Sequence, residues 1–246
     1  MMTLPTTAMI LAAGLGTRMR PLSEDRPKAL IEVAGRALID HALDRLVEAG
    51  VTRAVVNLHD RGEAVRAHLA KRDDLDLDFS DESEALLDTG GGVARARPML
   101  GEAPVLVVNA DALWFDASVY ERALQRLGGQ FDTERMDMIL LLMPTVAAVG
   151  YDGVGDFNLA TDGRLSRRPE PEVAPFVFTG VQILDPACLD DVPEGAFSLN
   201  LVYDRAADKG RLFGLRHYGD WFCMNTPDSV RLAERQMSGE DPLPLT

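Results

Sequence analysis

The sequence predicts an α/β protein built on a doubly wound, mixed but mostly parallel sheet, with a β-rich insertion in its second half. Three observations carry that expectation. Short apolar runs alternate with segments of helical apolar spacing through the first 145 residues, the rhythm of βαβ units. The first apolar run enters a glycine-rich loop directly, as in a sheet that binds ligands at the carboxyl ends of its strands. After residue 144 hairpin signals replace the βαβ rhythm.

Element by element, apolar residues 8–13 read as a buried strand. Leu38, Ala42, Leu46 and Ala49 recur at helical spacing, and Gly50 is a natural stop. Residues 54–58 form a second strand, and 63–70 a helix. Leu75, Leu77 and Phe79 alternate with aspartates as in a half-buried strand. A helix over 89–99 starts in a glycine run. Strands at 105–108 and 136–143 flank a helix at 118–127. Residues 156–160 and 165–168 make a hairpin around Asp162-Gly163. A strand at 176–184, a helix at 199–207, a strand at 212–215 and a helix at 227–237 complete the chain. With no repeat or low-complexity linker, 1–246 reads as a single domain. Its rhythm changes at about residue 145, which divides it into halves of about 1–145 and about 146–246.

Composition narrows the function. The formal charge is −14 and 46% of the 246 residues are hydrophobic, enough for a core. Such an acidic chain is not expected to bind nucleic acid or anionic membrane broadly. Cys188 and Cys223 lack C-x-x-C spacing, so neither structural zinc nor a disulfide framework is expected. The four histidines show no metal spacing. The N-terminus has no basic region, and no apolar stretch reaches membrane-spanning length, so a cytoplasmic location is expected.

Against this acidity, Arg18, Arg20, Arg26 and Lys28 cluster just after Ala12, Ala13, Gly14, Leu15, Gly16 and Thr17. A strand that runs into glycines lets backbone N–H groups approach a phosphate without Cβ interference. Arg18 and Lys28 would then neutralise that phosphate, one as a fork and the other as a point charge. A dinucleotide fingerprint needs a third small residue where Met19 stands, which argues against a nicotinamide cofactor.

The stretch Gly14-x-Gly16-Thr17-Arg18-Met19-x-Pro21-Leu22-Ser23 and the following Pro27-Lys28-x-Leu30 resemble the signature of the sugar-1-phosphate nucleotidyltransferases. The resemblance implies their Rossmann-like fold and transfer of a nucleotide from an NTP to a sugar 1-phosphate. Asp111, after the strand at 105–108, matches the family aspartate that holds Mg²⁺ on the nucleotide, with Ala110 in place of the usual glycine. Asp88, Thr89, Gly90 and Gly91 resemble the family segment that contacts base and sugar. Gly155-Asp156-Phe157 and Gly180 resemble sugar-pocket segments of N-acetylmuramate 1-phosphate uridylyltransferases, and Asn109 joins them. The family usually closes with W-[VLI]-D-x-G-T, whose aspartate is a second Mg²⁺ ligand. Here Cys223 stands at that aspartate and Asn225 at the glycine. A neutral thiol suits hard Mg²⁺ poorly, so Asp220, Asn225 or water would complete the shell, or Asp111 and phosphates would suffice.

The resemblance implies that Arg18, Lys28 and Asp111 are catalytic, with Mg²⁺ as cofactor, an NTP and a sugar 1-phosphate as partners, and a monomer or homodimer as the working unit. UTP with N-acetylmuramate 1-phosphate is the preferred pair. Guanosine with mannose 1-phosphate and thymidine with glucose 1-phosphate are the alternatives. A reading of another class is a sugar-nucleotide-binding regulator with weak catalysis, motivated by Cys223.

Overall fold

The computed structural model describes residues 4–118 and 122–240. Strand β1 (Thr7–Leu11) lies between β4 (Arg53–Leu58) and β6 (Val105–Asn109), parallel to both, and β5 (Asp76–Asp81) extends the sheet beyond β4. The long strand β11 (Phe176–Leu184) runs antiparallel between β6 and β8 (Met138–Pro144), and β12 (Leu212–Arg216) adds in parallel to β8. The sheet is therefore mixed and mostly parallel, as expected. A hairpin of β9 (Phe157–Leu159) and β10 (Leu165–Arg167) joins it beside Phe176, turning at Gly163 with φ +89°.

Alternating side chains of the central strands feed two apolar cores. Ala8, Ile10, Ala54, Val56, Leu106 and Val108 face α1 (Leu38–Ala49), α2 (Gly62–Leu69) and α4 (Ala123–Gln130). Met9, Val55, Val105 and Val107 face α3 (Asp88–Leu100) and α5 (Asn200–Asp208). Strands buried on both faces read as continuous apolar runs, which is why the sequence exposes them so clearly. Gly50 ends α1 in the left-handed conformation, φ +97°, and donates to Leu46 and Val47 carbonyls.

The structure moves some boundaries. The first strand stops at Leu11 instead of Ala13, because the Ala12 N–H donates to Asn57 Oδ1 (2.6 Å) and leaves the ladder. Ser118, expected to start a helix, lies in a bend; residues 119–121 of that expected helix fall outside the described residues. The helix begins at Ala123, whose N–H is held by Asp116 Oδ1 (2.9 Å).

Two small ribbons were absent from the sequence reading. β2 (Glu32–Val33) and β3 (Arg36–Ala37) form a tight hairpin through Ala34 and Gly35, both at positive φ. β7 (Ala112–Phe115) pairs antiparallel with β13 (Asp220–Cys223), placing Cys223 opposite Ala112, next to Asp111. This ribbon covers a third core with Met19, Val33, Leu38 and α6 (Pro227–Met237).

Candidate active site

A cleft of about 480 Å³ opens at the carboxyl ends of β1, β4 and β6. That edge of a doubly wound sheet, where the chain departs to opposite faces, is where such folds bind ligands. The loop after β1 supplies Ala12, Ala13, Gly14, Leu15, Gly16, Thr17 and Arg18 to its lining. Gly16 adopts φ +61°, and a Cβ there would lie 2.8 Å from Lys28 Cβ, so the loop needs glycine to let the Lys28 segment close on it. Ser23 Oγ donates to the Gly16 carbonyl (2.7 Å) and fixes the turn.

The charged groups converge. Lys28 Nζ forms an ion pair with Asp111, with side chains only 15% and 28% exposed. Lys28 Nζ also donates to Asn225 Oδ1 (3.2 Å), and Arg18 donates to the same oxygen (3.3 Å). Asn225 Nδ2 in turn donates to Cys223 Sγ (3.0 Å). Burial pushes the Cys223 thiol up from its ordinary pKa, so it remains a protonated neutral group. Asp220, the other carboxylate offered for the position Cys223 fills, is exposed at the start of β13 and does not line the cleft.

Asp88 and Thr89 line the opposite wall. Asp88 sits at φ +59° and its carboxylate accepts from the Thr89 N–H, while Thr89 Oγ1 accepts from the Leu199 N–H (2.9 Å). Gly90 and Gly91, expected to face the ligand, are turned inward. Both N–H groups donate to the Phe197 carbonyl, and added Cβ atoms would lie 2.3 Å from the Phe197 ring and 2.2 Å from the Gly195 carbonyl. The glycine run therefore admits a neighbouring loop of this chain.

The expected sugar-pocket residues divide. Asn109 lines the cleft, and Gly180, at φ +85°, makes room for its side chain, since a Cβ there would lie 2.9 Å from Asn109 Nδ2. Gly155, Asp156 and Phe157 do not line it. The Gly155 N–H donates to Tyr151 Oη (3.0 Å), Asp156 Oδ2 accepts from the Phe178 N–H (2.9 Å), and Phe157 is buried edge-on against Tyr203. These three hold the β9 hairpin against β11.

Among the lining residues that escaped the sequence reading are Asn57 and Leu86. Asn57 is buried near the end of β4, where its carbonyl holds the Ala12 N–H and its amide donates to the buried Glu82 (2.7 Å). A polar residue one place before the end of an apolar strand was the available signal. Leu86, 38% exposed, joins Leu15 as an apolar surface in the cleft, a combination common where a ligand covers it.

A glycine loop at a strand end, the cations Arg18 and Lys28 and the carboxylate of Asp111 thus share one cleft. The MobA-like NTP transferase domain family matches residues 8–138, and the chain belongs to the sugar-1-phosphate nucleotidyltransferases of that family. It is 44% identical to the N-acetylmuramate alpha-1-phosphate uridylyltransferase of Caulobacter vibrioides over 95% of this chain and 98% of that one. The enzyme of the same name from Neisseria meningitidis serogroup B is 35% identical, over 93% and 96%. A crystal structure of UDP-glucose pyrophosphorylase complexed with UDP-glucose superposes with a TM-score of 0.77 at 13% identity, covering 98% of this chain and 100% of the other. That likeness concerns the fold.

Proposed function

We propose that the protein joins UTP to N-acetylmuramate 1-phosphate and releases pyrophosphate, using Arg18, Lys28 and Asp111. The observation that carries the chemistry is the convergence of these three residues in one cleft behind the Gly14–Gly16 loop. The substrate pair rests on the two uridylyltransferase relatives, which match this chain almost from end to end. The volume lies within the range of small-molecule sites, roughly 300–1,000 Å³.

The sugar phosphate oxygen attacks the α-phosphorus of UTP in line, forming the new P–O bond as the bond to pyrophosphate breaks. Phosphoryl-type transfer needs little covalent help from protein; positioning and charge neutralisation dominate. Gly14 and Gly16 leave the loop backbone accessible to the phosphates. Arg18 neutralises the departing pyrophosphate. Lys28 leaves Asp111 and binds the α-phosphate or the incoming sugar phosphate. Leu15 and Leu86 cover the apolar face of the base or ribose.

The donor set fits Mg²⁺. Among the described residues no three His, Cys, Asp or Glu gather as a self-sufficient metal site. Mg²⁺ is held well by one or two carboxylates with waters and substrate phosphates. Asp111 would hold it, and the bound ion would supply positive charge to the reacting phosphate oxygens.

Steady-state assay by pyrophosphate release tests this reading. Lys28→Ala and Arg18→Ala are each expected to lower kcat by a factor on the order of 10²–10³, the effect of losing one preorganised charge. Unchanged turnover in either would overturn that residue's assignment. Wild-type protein that binds UTP yet forms no product with any sugar 1-phosphate would favour the regulator reading.

A further inference from the structure

Arg18 and Lys28 reach the cleft from different turns of the chain, carry like charges and have long flexible stems. They nonetheless share an acceptor, Asn225 Oδ1, at 3.3 and 3.2 Å. Asn225 leaves β13 just ahead of α6, within a turn closed by its N–H donating to the Cys223 carbonyl (3.0 Å). Its amide has a defined orientation, because Arg18 and Lys28 only donate and only the carbonyl end of the amide accepts. The nitrogen end points to Cys223 Sγ at 3.0 Å, and this buried sulfur offers a lone pair. A glycine at 225, as in the resembled pattern, has no side chain to do this. A carboxylate would grip both cations but cancel charge that phosphate needs. A neutral amide gathers them and leaves their charge in place.

We propose that Asn225 is a positioning residue of the phosphate site: its carbonyl oxygen holds Arg18 and Lys28 side by side before the triphosphate arrives, and Cys223 keeps the amide turned that way. The inference rests on the phosphate-binding role assigned above to Arg18 and Lys28. Cys223 and Asn225 thus act as a pair in this chain. The thiol gives up a carboxylate at the site, and the amide organises the cations that remain.

The test is calorimetric titration of the full-length protein with α,β-methylene-UTP, a non-reacting analogue, in EDTA and without sugar phosphate. Asn225→Ala is expected to weaken binding about tenfold, within the range of coupled neighbours. In a Lys28→Met background the same substitution is expected to cost less than about threefold, because one of the two cations it positions is gone. Cys223→Ala is expected to fall between wild type and Asn225→Ala. Thermal unfolding of each variant checks the fold, and Asn225→Gly replaces Asn225→Ala if the latter is unstable. If Lys28→Met and Arg18→Ala weaken binding but Asn225→Ala does not, or its effect adds fully to that of Lys28→Met, the positioning role is overturned and the phosphate assignment stands. If Lys28→Met and Arg18→Ala bind the analogue as wild type does, the phosphate assignment itself fails and this inference with it.

Discussion

Gly14 and Gly16 lie two residues apart and serve different ends. At Gly16 the left-handed backbone and the approach of Lys28 both exclude a side chain. Gly16→Ala is expected to cost about 1–2 kcal/mol from backbone strain alone, and to displace Lys28. Thermal unfolding would show a Tm lower by a few degrees, and pyrophosphate release a slower enzyme. Around Gly14 nothing lies within 4 Å of an added Cβ, so the space there belongs to the cleft. Gly14→Ala is therefore expected to keep the wild-type Tm and raise the KM for UTP. An equal loss of Tm in both variants would contradict this division. The pattern of residues 12–18, with Lys28, was legible because a glycine loop bearing cations in an acidic chain has few other purposes. At Gly90 and Gly91 the close neighbours are Phe197 and Gly195. A glycine run announces a close approach, and the sequence does not say whether a ligand or Phe197 makes it.

The β7–β13 ribbon brings Cys223 and Asn225 to Asp111, and His217 fastens it to the sheet. The His217 N–H at Nε2 is shared between the Phe115 and Asp220 carbonyls (3.1 and 3.2 Å). Its Nδ1 is buried without a partner among the described residues. Burial holds the imidazole below its ordinary pKa, so the folded chain keeps it neutral. The unfolded chain takes up a proton near pH 6.5, while the folded chain does so only at lower pH. Stability from this group is therefore complete above that pH and declines as the pH falls through it. Urea denaturation at about pH 7.5 and about pH 5.5 would check this, with His217→Gln expected to lose less stability on acidification than wild type. An equal loss would remove His217 from the account. The ribbon itself was missed because four-residue strands off the main sheet carry too little periodicity to separate from loop, even with Trp114 and Trp221 in them.

At the scale of the whole molecule, β11 joins the two halves of the chain. It fills the space between β6 and β8 and contributes Val181 and Ile183 to one core and Leu184 to the other. Its bulge beside Gly180 admits Asn109, and the Thr179 carbonyl accepts from Trp221 Nε1 (3.0 Å), which ties the ribbon to the sheet. A fragment cut after residue 145 would leave the apolar edges of β6 and β8 unpaired. We expect that fragment to aggregate and to lack a cooperative thermal transition by circular dichroism. A monomeric fragment with a sharp transition would show the halves to be separable.

Local chemistry let the sequence determine the βαβ order, the buried strands, the cationic glycine loop and the carboxylate at 111, since each depends on a short run of residues and its periodicity. Contacts between residues far apart in the chain were decided only by the tertiary structure. Among them are the inward turn of Gly90 and Gly91, the structural employment of Gly155, Asp156 and Phe157, and the meeting of Arg18, Lys28 and Asn225 across some two hundred positions. The physical reason is that a hydrogen bond or a close approach forms between surfaces, and which surfaces meet is settled when the sheet closes around β11 and the ribbon folds over its edge.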